Sequence, residues 1–438
     1  MDVPLQDLPP AREIPAAFAA SLRSWWNTGE KESAVAEERL LRRLPFFRSA
    51  TQLAAGGSTN LPVVATTSKV ALAARGHYLN MLSIKTTASA KSDAPPPAVV
   101  LHGYGAGLGF FFPNYPALAD WAGRRGTSVY ALDWLGMGRS ARVPFAVKAK
   151  QDDRSRVADA EAFFVDALEE WRIKMELPRI TLIGHSLGAY LSTAYALKYP
   201  DRVHQLILLS PAGVPHSPED TSEPSRELAD DRAPRDSSSG DETADGRPKS
   251  IKERSTFQVS RKSKIDKVSE EQKEIKAREP VRRKVFTYLW EQGFSPFQVA
   301  RSSLFFGPLL IGKYSSRRFP SLAEDETRDF HDYILNITLA KGSGEYCISH
   351  LLKPGAFARL PLVDRVHGLR KDLPVTFAYG THDWMDVEGG QECVKTLRQL
   401  GNKNVSDVVL VDRAGHHLYI DNQKVVNKML VDQLDRYR

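Results

Sequence analysis

Cysteine is nearly absent from this chain: Cys347 and Cys393 are the only two in 438 residues. So sparse a pair excludes a disulfide-built scaffold and predicts a reducing compartment. Neither cysteine has the neighbour spacing of a metal site, so both read as structural, and no metal or organic cofactor is expected. Long apolar runs are missing too. No stretch reaches the roughly 18 consecutive apolar residues of a membrane-crossing helix, so membrane contact would be peripheral. The basic start and compact apolar stretch of a secretory signal are lacking, with Asp2, Asp7 and Glu13 in their place. Those acids argue against a mitochondrial presequence, while Arg12, Arg23 and the apolar stretch Ala16 to Ala20 keep it open. Zinc-finger spacing and aromatic ribonucleoprotein motifs are lacking as well. The net charge of +7 therefore predicts weak attraction to anionic surfaces such as phospholipid headgroups, and no nucleic-acid partner.

What is present is an apolar fraction of 42%, enough for a sizeable core, distributed in a legible order. Residues 1–60 read as a helical extension. Within it, the stretch from Glu37 to Phe47 is basic and apolar on one side, which suits either a membrane surface or packing on the main domain with a stop at Pro45. From 61 to 215 short apolar strands alternate with helical periods. A hairpin is predicted around Arg75-Gly76. Strands are predicted at 98–101, 128–132, 180–183 and 206–209, and helices at 115–126 and 187–199. A long amphipathic helix carries Val157, Phe164, Leu168 and Trp171. This alternation predicts an α/β fold with a mostly parallel central sheet covered by helices on both faces. Residues 216–283 are rich in Ser, Asp, Glu, Arg, Lys and Pro and poor in aromatics, and read as a disordered charged insertion, with a helix near 268–279. Residues 284–360 read as a helical lid rich in aromatics, Trp290, Phe305 and Phe306 among them, interspersed with cations. The sheet pattern returns over 361–438, with strands at 375–379 and 408–411 and a final helix over about 422–437.

The chemistry centres on Gly184-His185-Ser186-Leu187-Gly188, which follows a predicted strand and opens a predicted helix. That context turns a common Gly-x-Ser-x-Gly string into a nucleophile elbow, where flanking glycines let strand and helix approach and the serine stands at the helix N-terminus. A serine hydroxyl needs a base, and the base an orienting acid, in the chain order Ser, acid, His. His416 follows the strand 408–411 and is the expected base, with His417 the competitor. Asp383 follows the strand 375–379 in Gly380-Thr381-His382-Asp383 and is the expected acid, with Asp386 the alternative. His102-Gly103-Tyr104-Gly105 after the strand 98–101 supplies the oxyanion loop, so that the Tyr104 and Leu187 N–H groups would face the developing charge. The glycine-rich loop from Asp133 to Ser140 lacks the Gly-Lys-Ser/Thr ending of a phosphate loop and reads as structural. The spacing His416-x4-Asp421 matches an acyltransferase signature in which Asp orients His; alternatively, Asp421 caps the last helix.

Four strings occur together: the elbow through Ala189-Tyr190, Asp133-x-x-Gly136-x-Gly138-Arg139-Ser140, Ser295-Pro296-Phe297-Gln298, and His416-His417-x-Tyr419-x-Asp421. Together they resemble the α/β-hydrolase subfamily that contains the lipid-droplet coactivator of adipose triglyceride lipase, its N-acyl-phospholipid lipase relative and the fungal cardiolipin-specific deacylase. The resemblance covers 35–215 and 284–435. It implies phospholipid or lysophospholipid substrates and a peripheral place on a mitochondrial membrane or lipid droplet. For members with the His-x4-Asp motif it also implies lysophosphatidic acid acyltransferase activity with acyl-CoA as donor. The coactivator lacks the elbow serine. This chain keeps Ser186 and so resembles the active branch, which favours an enzyme over a non-catalytic regulator of another lipase. The charged insertion departs from the pattern.

Overall fold

Short, nearly continuous apolar runs build the sheet. The computed structural model describes residues 8–49, 52, 61–88, 92–147, 152–216, 288–291 and 293–437. Its central sheet has the order β1-β2-β4-β3-β5-β6-β9-β10. The strands are β1 (Val63–Ala71), β2 (Tyr78–Thr86), β3 (Ala98–Leu101), β4 (Ser128–Leu132), β5 (Ile180–His185), β6 (Val203–Leu209), β9 (Val375–Gly380) and β10 (Val409–Val411). The hairpin β1–β2 runs antiparallel and joins β4 antiparallel; the other pairings are parallel. A small separate hairpin pairs β7 (Leu352–Lys353) with β8 (Phe357–Ala358).

Each inner strand is apolar on both faces, as a parallel sheet covered on both sides requires. Val99 and Leu101 point into one core, with Phe164, Leu168 and Trp171 of the long helix α4 (Asp153–Lys174). Ala98 and Val100 point into the other, with Leu118 and Trp121 of α3 (Tyr115–Arg125). The predicted stripe of Val157, Phe164, Leu168 and Trp171 is wholly buried. Helix α5 (Leu187–Lys198) follows β5, while α9 (Val387–Gln399) and the final α10 (Gln423–Arg436) flank the end of the sheet. The insertion predicted over 216–283 lies, beyond His216, outside the described residues, as does the helix near 268–279.

Above the carboxyl ends of the strands sits a helical roof: α6 (Pro296–Ser302), α7 (Gly307–Arg318) and α8 (Glu324–Leu339). The string Ser295-Pro296-Phe297-Gln298 starts it. Ser295 is the cap, accepting the Gln298 N–H at 3.1 Å, and proline takes the first helical position. The N-terminal helices α1 (Phe18–Trp26) and α2 (Glu30–Leu41) pack on this roof. The Ser21 hydroxyl accepts the Leu309 N–H at 3.0 Å, and the Phe18 ring lies 5.2 Å from that of Phe305. Arg39 of α2 pairs with Asp332 of α8 at 2.8 Å. Leu40, Leu41, Leu44, Phe46 and Phe47 are all buried, so the basic, apolar stretch seen in the sequence is a packing element and not a membrane-facing one. Among the described residues no helix is long and apolar enough to cross a membrane.

Candidate active site

The sheet order gathers the candidate residues. β5, β6, β9 and β10 are consecutive neighbours, so the loops after their carboxyl ends stand in a row. Ser186 follows β5 and Asp383 and His416 follow β9 and β10, while His102 to Gly105 follow β3 on the other side of β5.

Ser186 sits at φ 52°, ψ −117°, a strained backbone for a residue with a Cβ. The turn is possible because a side chain at Gly184 would strike the Gly188 carbonyl at 2.6 Å, and one at Gly188 would strike the Leu101 and His102 carbonyls at 2.5 Å. Strand, elbow and oxyanion loop therefore close on one another only with glycine at both places. The Ser186 N–H donates to the Leu209 carbonyl at 2.9 Å, which fixes the elbow to β6.

His416 Nε2 lies 3.0 Å from Ser186 Oγ, and His416 Nδ1 lies 3.2 Å from Asp383 Oδ1. The serine hydroxyl thus has a base and the base an acid, in one continuous relay. Burial would raise the Asp383 pKa. Attraction to His416, with hydrogen bonds from His416, Ser210 and the Met385 N–H, outweighs it and holds the carboxyl below its usual value. The loops of acid and base touch because Gly380 ends β9: a Cβ there would lie 2.1 Å from the Ala414 carbonyl.

The alternatives separate by geometry. Asp386 caps α9, accepting the Glu388 N–H at 2.9 Å. His417 turns away: its Nδ1 meets the Tyr419 hydroxyl at 3.1 Å and its ring packs beside Phe110 and Phe319. Burial and the neighbouring Arg318 push its pKa well down, so it stays neutral. Asp421 takes neither place predicted for it. The cap of α10 is Asn422, which accepts the Val425 N–H, and both His416 nitrogens are already engaged. The Asp421 carboxylate instead accepts the Gly415 N–H at 2.9 Å and pairs with Arg318 at 3.1 Å.

On the oxyanion side, Leu187 is the first residue of α5, where a backbone N–H has no partner inside the helix. Gly103 closes the other side: a Cβ there would lie 2.9 Å from His185 and 3.0 Å from the Ser186 Cβ. That closeness brings the Tyr104 main chain beside the serine. His102 holds the loop from below. The Trp134 N–H donates to its Nε2 at 3.1 Å, which leaves Nδ1–H to donate to the Gly103 carbonyl at 2.7 Å. The Asp133 loop is a structural bracket: buried Asp133 accepts N–H groups from Leu108 at 2.7 Å and Arg139 at 2.8 Å, and the Asn80 amide at 2.8 Å.

Two site residues were not foreseen. Ser210, directly after β6, donates its hydroxyl to Asp383 Oδ2. His185 donates from Nε2 to the His416 carbonyl at 3.0 Å and fixes the base loop from beneath. The strand pairing Leu209↔Ala378, which brings Ser210 beside the acid loop, is a long-range register that no local pattern encodes.

Over Ser186 opens a cavity of about 480 Å³, walled by Phe110, Phe297, Val299, Leu310, Ile311 and Ile334 among others. Its polar lining is confined almost entirely to Ser186, the three histidines, Tyr104, Tyr314 and Thr338, and among the described residues no Lys, Arg, Asp or Glu lines it. Such a space takes a hydrocarbon chain and rejects a phosphate. Among the described residues no group of three His, Cys, Asp or Glu is placed to hold a metal ion.

Comparison with known proteins agrees with this fold. The model of the α/β hydrolase fold matches residues 96–423. A probable 1-acylglycerol-3-phosphate O-acyltransferase of Oryza sativa subsp. japonica is 32% identical over 345 residues, 77% of this chain and 67% of that one. The 1-acylglycerol-3-phosphate O-acyltransferase of Arabidopsis thaliana is 30% identical over 411 residues, 92% of this chain and 79% of the relative. The (lyso)-N-acylphosphatidylethanolamine lipase of Homo sapiens is 30% identical over 352 residues, 80% and 82% of the two chains. With that fold over three quarters of its length, the chain belongs to the α/β-hydrolase family, in the branch that holds these lipid lipases and acyltransferases.

Proposed function

We propose that this protein is a serine hydrolase that cleaves acyl esters of membrane phospholipids or lysophospholipids. The observation that carries the reading is the Ser186–His416–Asp383 relay at the floor of a cavity whose wall, among the described residues, holds no charged side chain. Ser186 Oγ attacks the ester carbonyl as its proton passes to His416 Nε2. The Tyr104 and Leu187 N–H groups hold the oxyanion, and Asp383 stabilises the imidazolium. The C–O bond breaks, and His416 returns the proton to the departing lysolipid or glycerol oxygen. Water, deprotonated by His416, then attacks the acyl-enzyme and releases the fatty acid.

The acyl chain lies in the cavity and the anionic headgroup stays outside, where its partners are available. Helices α1, α6 and α7 contain no acidic residue, and they expose the cations Arg23 and Lys313. Exposed apolar side chains stand on or beside the same helices: Phe18, Leu22, Val299, Leu304, Phe306 and Leu310. Val299 and Leu310 also line the cavity, so the exposed surface is continuous with the acyl site. This is the face that would meet a phospholipid surface. Trp290 of the same aromatic run is buried and lines the cavity, with its indole N–H on the Leu352 carbonyl at 3.0 Å.

A second reading rests on the relatives named as acyltransferases. A lysolipid hydroxyl in place of water would resolve the same acyl-enzyme by acyl transfer, with acyl-CoA as donor. A fluorophosphonate probe tests the nucleophile: labelling of the wild type on phospholipid vesicles, lost in Ser186→Ala, is expected, and an unlabelled folded wild type would sink both readings. Product analysis with cardiolipin, phosphatidylethanolamine and lysophosphatidic acid, with and without acyl-CoA, then separates hydrolysis from transfer and names the substrate.

A further inference from the structure

The His-x4-Asp string has a place in the structure that its spacing does not reveal. Asp421 cannot orient the His416 ring, because Asp383 and Ser186 already occupy the two nitrogens at 3.2 and 3.0 Å. Its carboxylate binds the main chain one residue earlier, at the Gly415 N–H. The same carboxylate receives Arg318 through both terminal guanidinium nitrogens, at 3.1 and 3.4 Å. Arg318 is the last residue of α7, the helix whose Leu310, Ile311 and Tyr314 form one wall of the cavity. A second tie runs alongside: the Ser321 hydroxyl donates to the Ile420 carbonyl at 3.1 Å. The pair is mostly enclosed, with side-chain exposures of 19% for Arg318 and 12% for Asp421. A two-pronged ion pair in such a setting fixes direction as well as distance.

We infer that Asp421 and Arg318 are positioning residues, a latch that holds the His416 loop to the cavity wall. They act on the base through the Gly415 main chain and touch no reacting atom. The inference rests on Ser186 being the nucleophile. From it follows that loss of the latch slows acylation of Ser186 whatever the later acceptor, because the base serves both half-reactions. A residue that oriented the base only for acyl transfer would behave otherwise.

The test is the rate of fluorophosphonate labelling of Ser186, together with hydrolysis of a short-chain ester and acyl transfer to lysophosphatidic acid. Asp421→Asn and Arg318→Gln should each slow labelling about tenfold, the scale of a modestly displaced catalytic group. The loss should fall on kcat more than on KM. The double variant should be no slower than the worse single one, and Arg318→Lys, which keeps the charge but not the two-pronged geometry, should recover only part of the rate. Hydrolysis and transfer should fall by the same factor. Wild-type labelling rates in both single variants, or losses that multiply in the double one, overturn the latch. So does an Asp421→Asn protein that loses transfer alone, which would return Asp421 to an acyltransfer role. Should Asp421→Asn fail to fold, Arg318→Gln and its partial rescue by Lys decide the matter. A wild type that resists the probe would overturn Ser186 itself, an outcome distinct from any latch result.

Discussion

The floor of the site and its roof are built by different means. On the floor, every reacting group hangs from the end of a strand, and the main chain sets its position: a positive φ at Ser186, a glycine at Gly380, and strand order β5-β6-β9-β10. In the roof, side-chain charge pairs do the fixing: Arg39 with Asp332, Arg43 with Asp329, Arg301 with Glu345 and Arg318 with Asp421. The floor holds geometry to a fraction of an ångström, as bond-making demands. The roof encloses an apolar space and faces outward with apolar and cationic side chains, which suits the proposed access from a lipid surface. Substitutions in the two regions should therefore fail differently, in rate below and in stability above, with the Arg318–Asp421 pair, which ties roof to floor, failing in rate.

The largest expected effect lies on the floor. Ser186→Ala should lower ester hydrolysis by about a millionfold, the scale of a lost serine nucleophile, while its urea midpoint stays near that of the wild type. If turnover survives, the floor does not do the chemistry. In the roof, Asp332→Asn should cost about 3–5 kcal/mol in urea unfolding, because it leaves the buried Arg39 without its anion. The folded fraction should still turn over a short-chain ester. A variant of wild-type stability with a collapsed rate would erase the distinction between the two regions.

At the seam between them sits Glu37 of α2, wholly buried. It holds Arg139 of the Asp133 loop at 2.6 Å and the Asn80 amide at 2.9 Å. Burial pushes its pKa up to about 7, opposed by Arg139 and reinforced by Asp133. The folded state therefore binds a proton that the unfolded chain releases near pH 4.5. Its contribution to stability is full below that pH and is lost as pH rises through about 7, a span worth about 3 kcal/mol. Urea unfolding at pH 5 and pH 8 should show this loss in the wild type and not in Glu37→Gln. Parallel behaviour of the two proteins would remove Glu37 from the account.

How much of this was legible in the sequence follows the same division. Ser186, Asp383 and His416 were placed by local signals: a strand period, a glycine turn and the order along the chain. Competitors separated only in three dimensions, where the Asp386 carboxylate caps α9 and His417 points to Tyr419. The roof was visible as a run of aromatics, but which of them turn inward was not: Trp290 is buried and Phe306 exposed. Its ion pairs join residues far apart in the chain, such as Arg39 and Asp332, and no periodicity encodes such a match. The partner of Asp421 was not legible for the same reason: the spacing to His416 is local, while Arg318 is 103 residues away.

The smallest effect probes the floor most finely. Ser210 is fully buried, at φ 45°, a conformation that disfavours any residue with a Cβ. Its N–H donates to the Ala378 carbonyl at 2.7 Å, and its hydroxyl takes the Asp383 oxygen that His416 leaves open. Two explanations for a serine here give different variants. If the hydroxyl matters, Ser210→Ala and Ser210→Gly should lose activity alike, about tenfold for one hydrogen bond to a buried charge. Both should also lose activity at a higher pH on acidification, because the carboxyl loses a bond that favours its ionised form. If only the turn matters, Ser210→Gly should keep wild-type activity. Stability should part the two in either case, with the glycine variant the more stable by about 1 kcal/mol because it adopts a positive φ without a steric penalty. Activity that follows the hydroxyl, beside stability that follows the backbone, would show that the floor strains its main chain to set the charge of its acid.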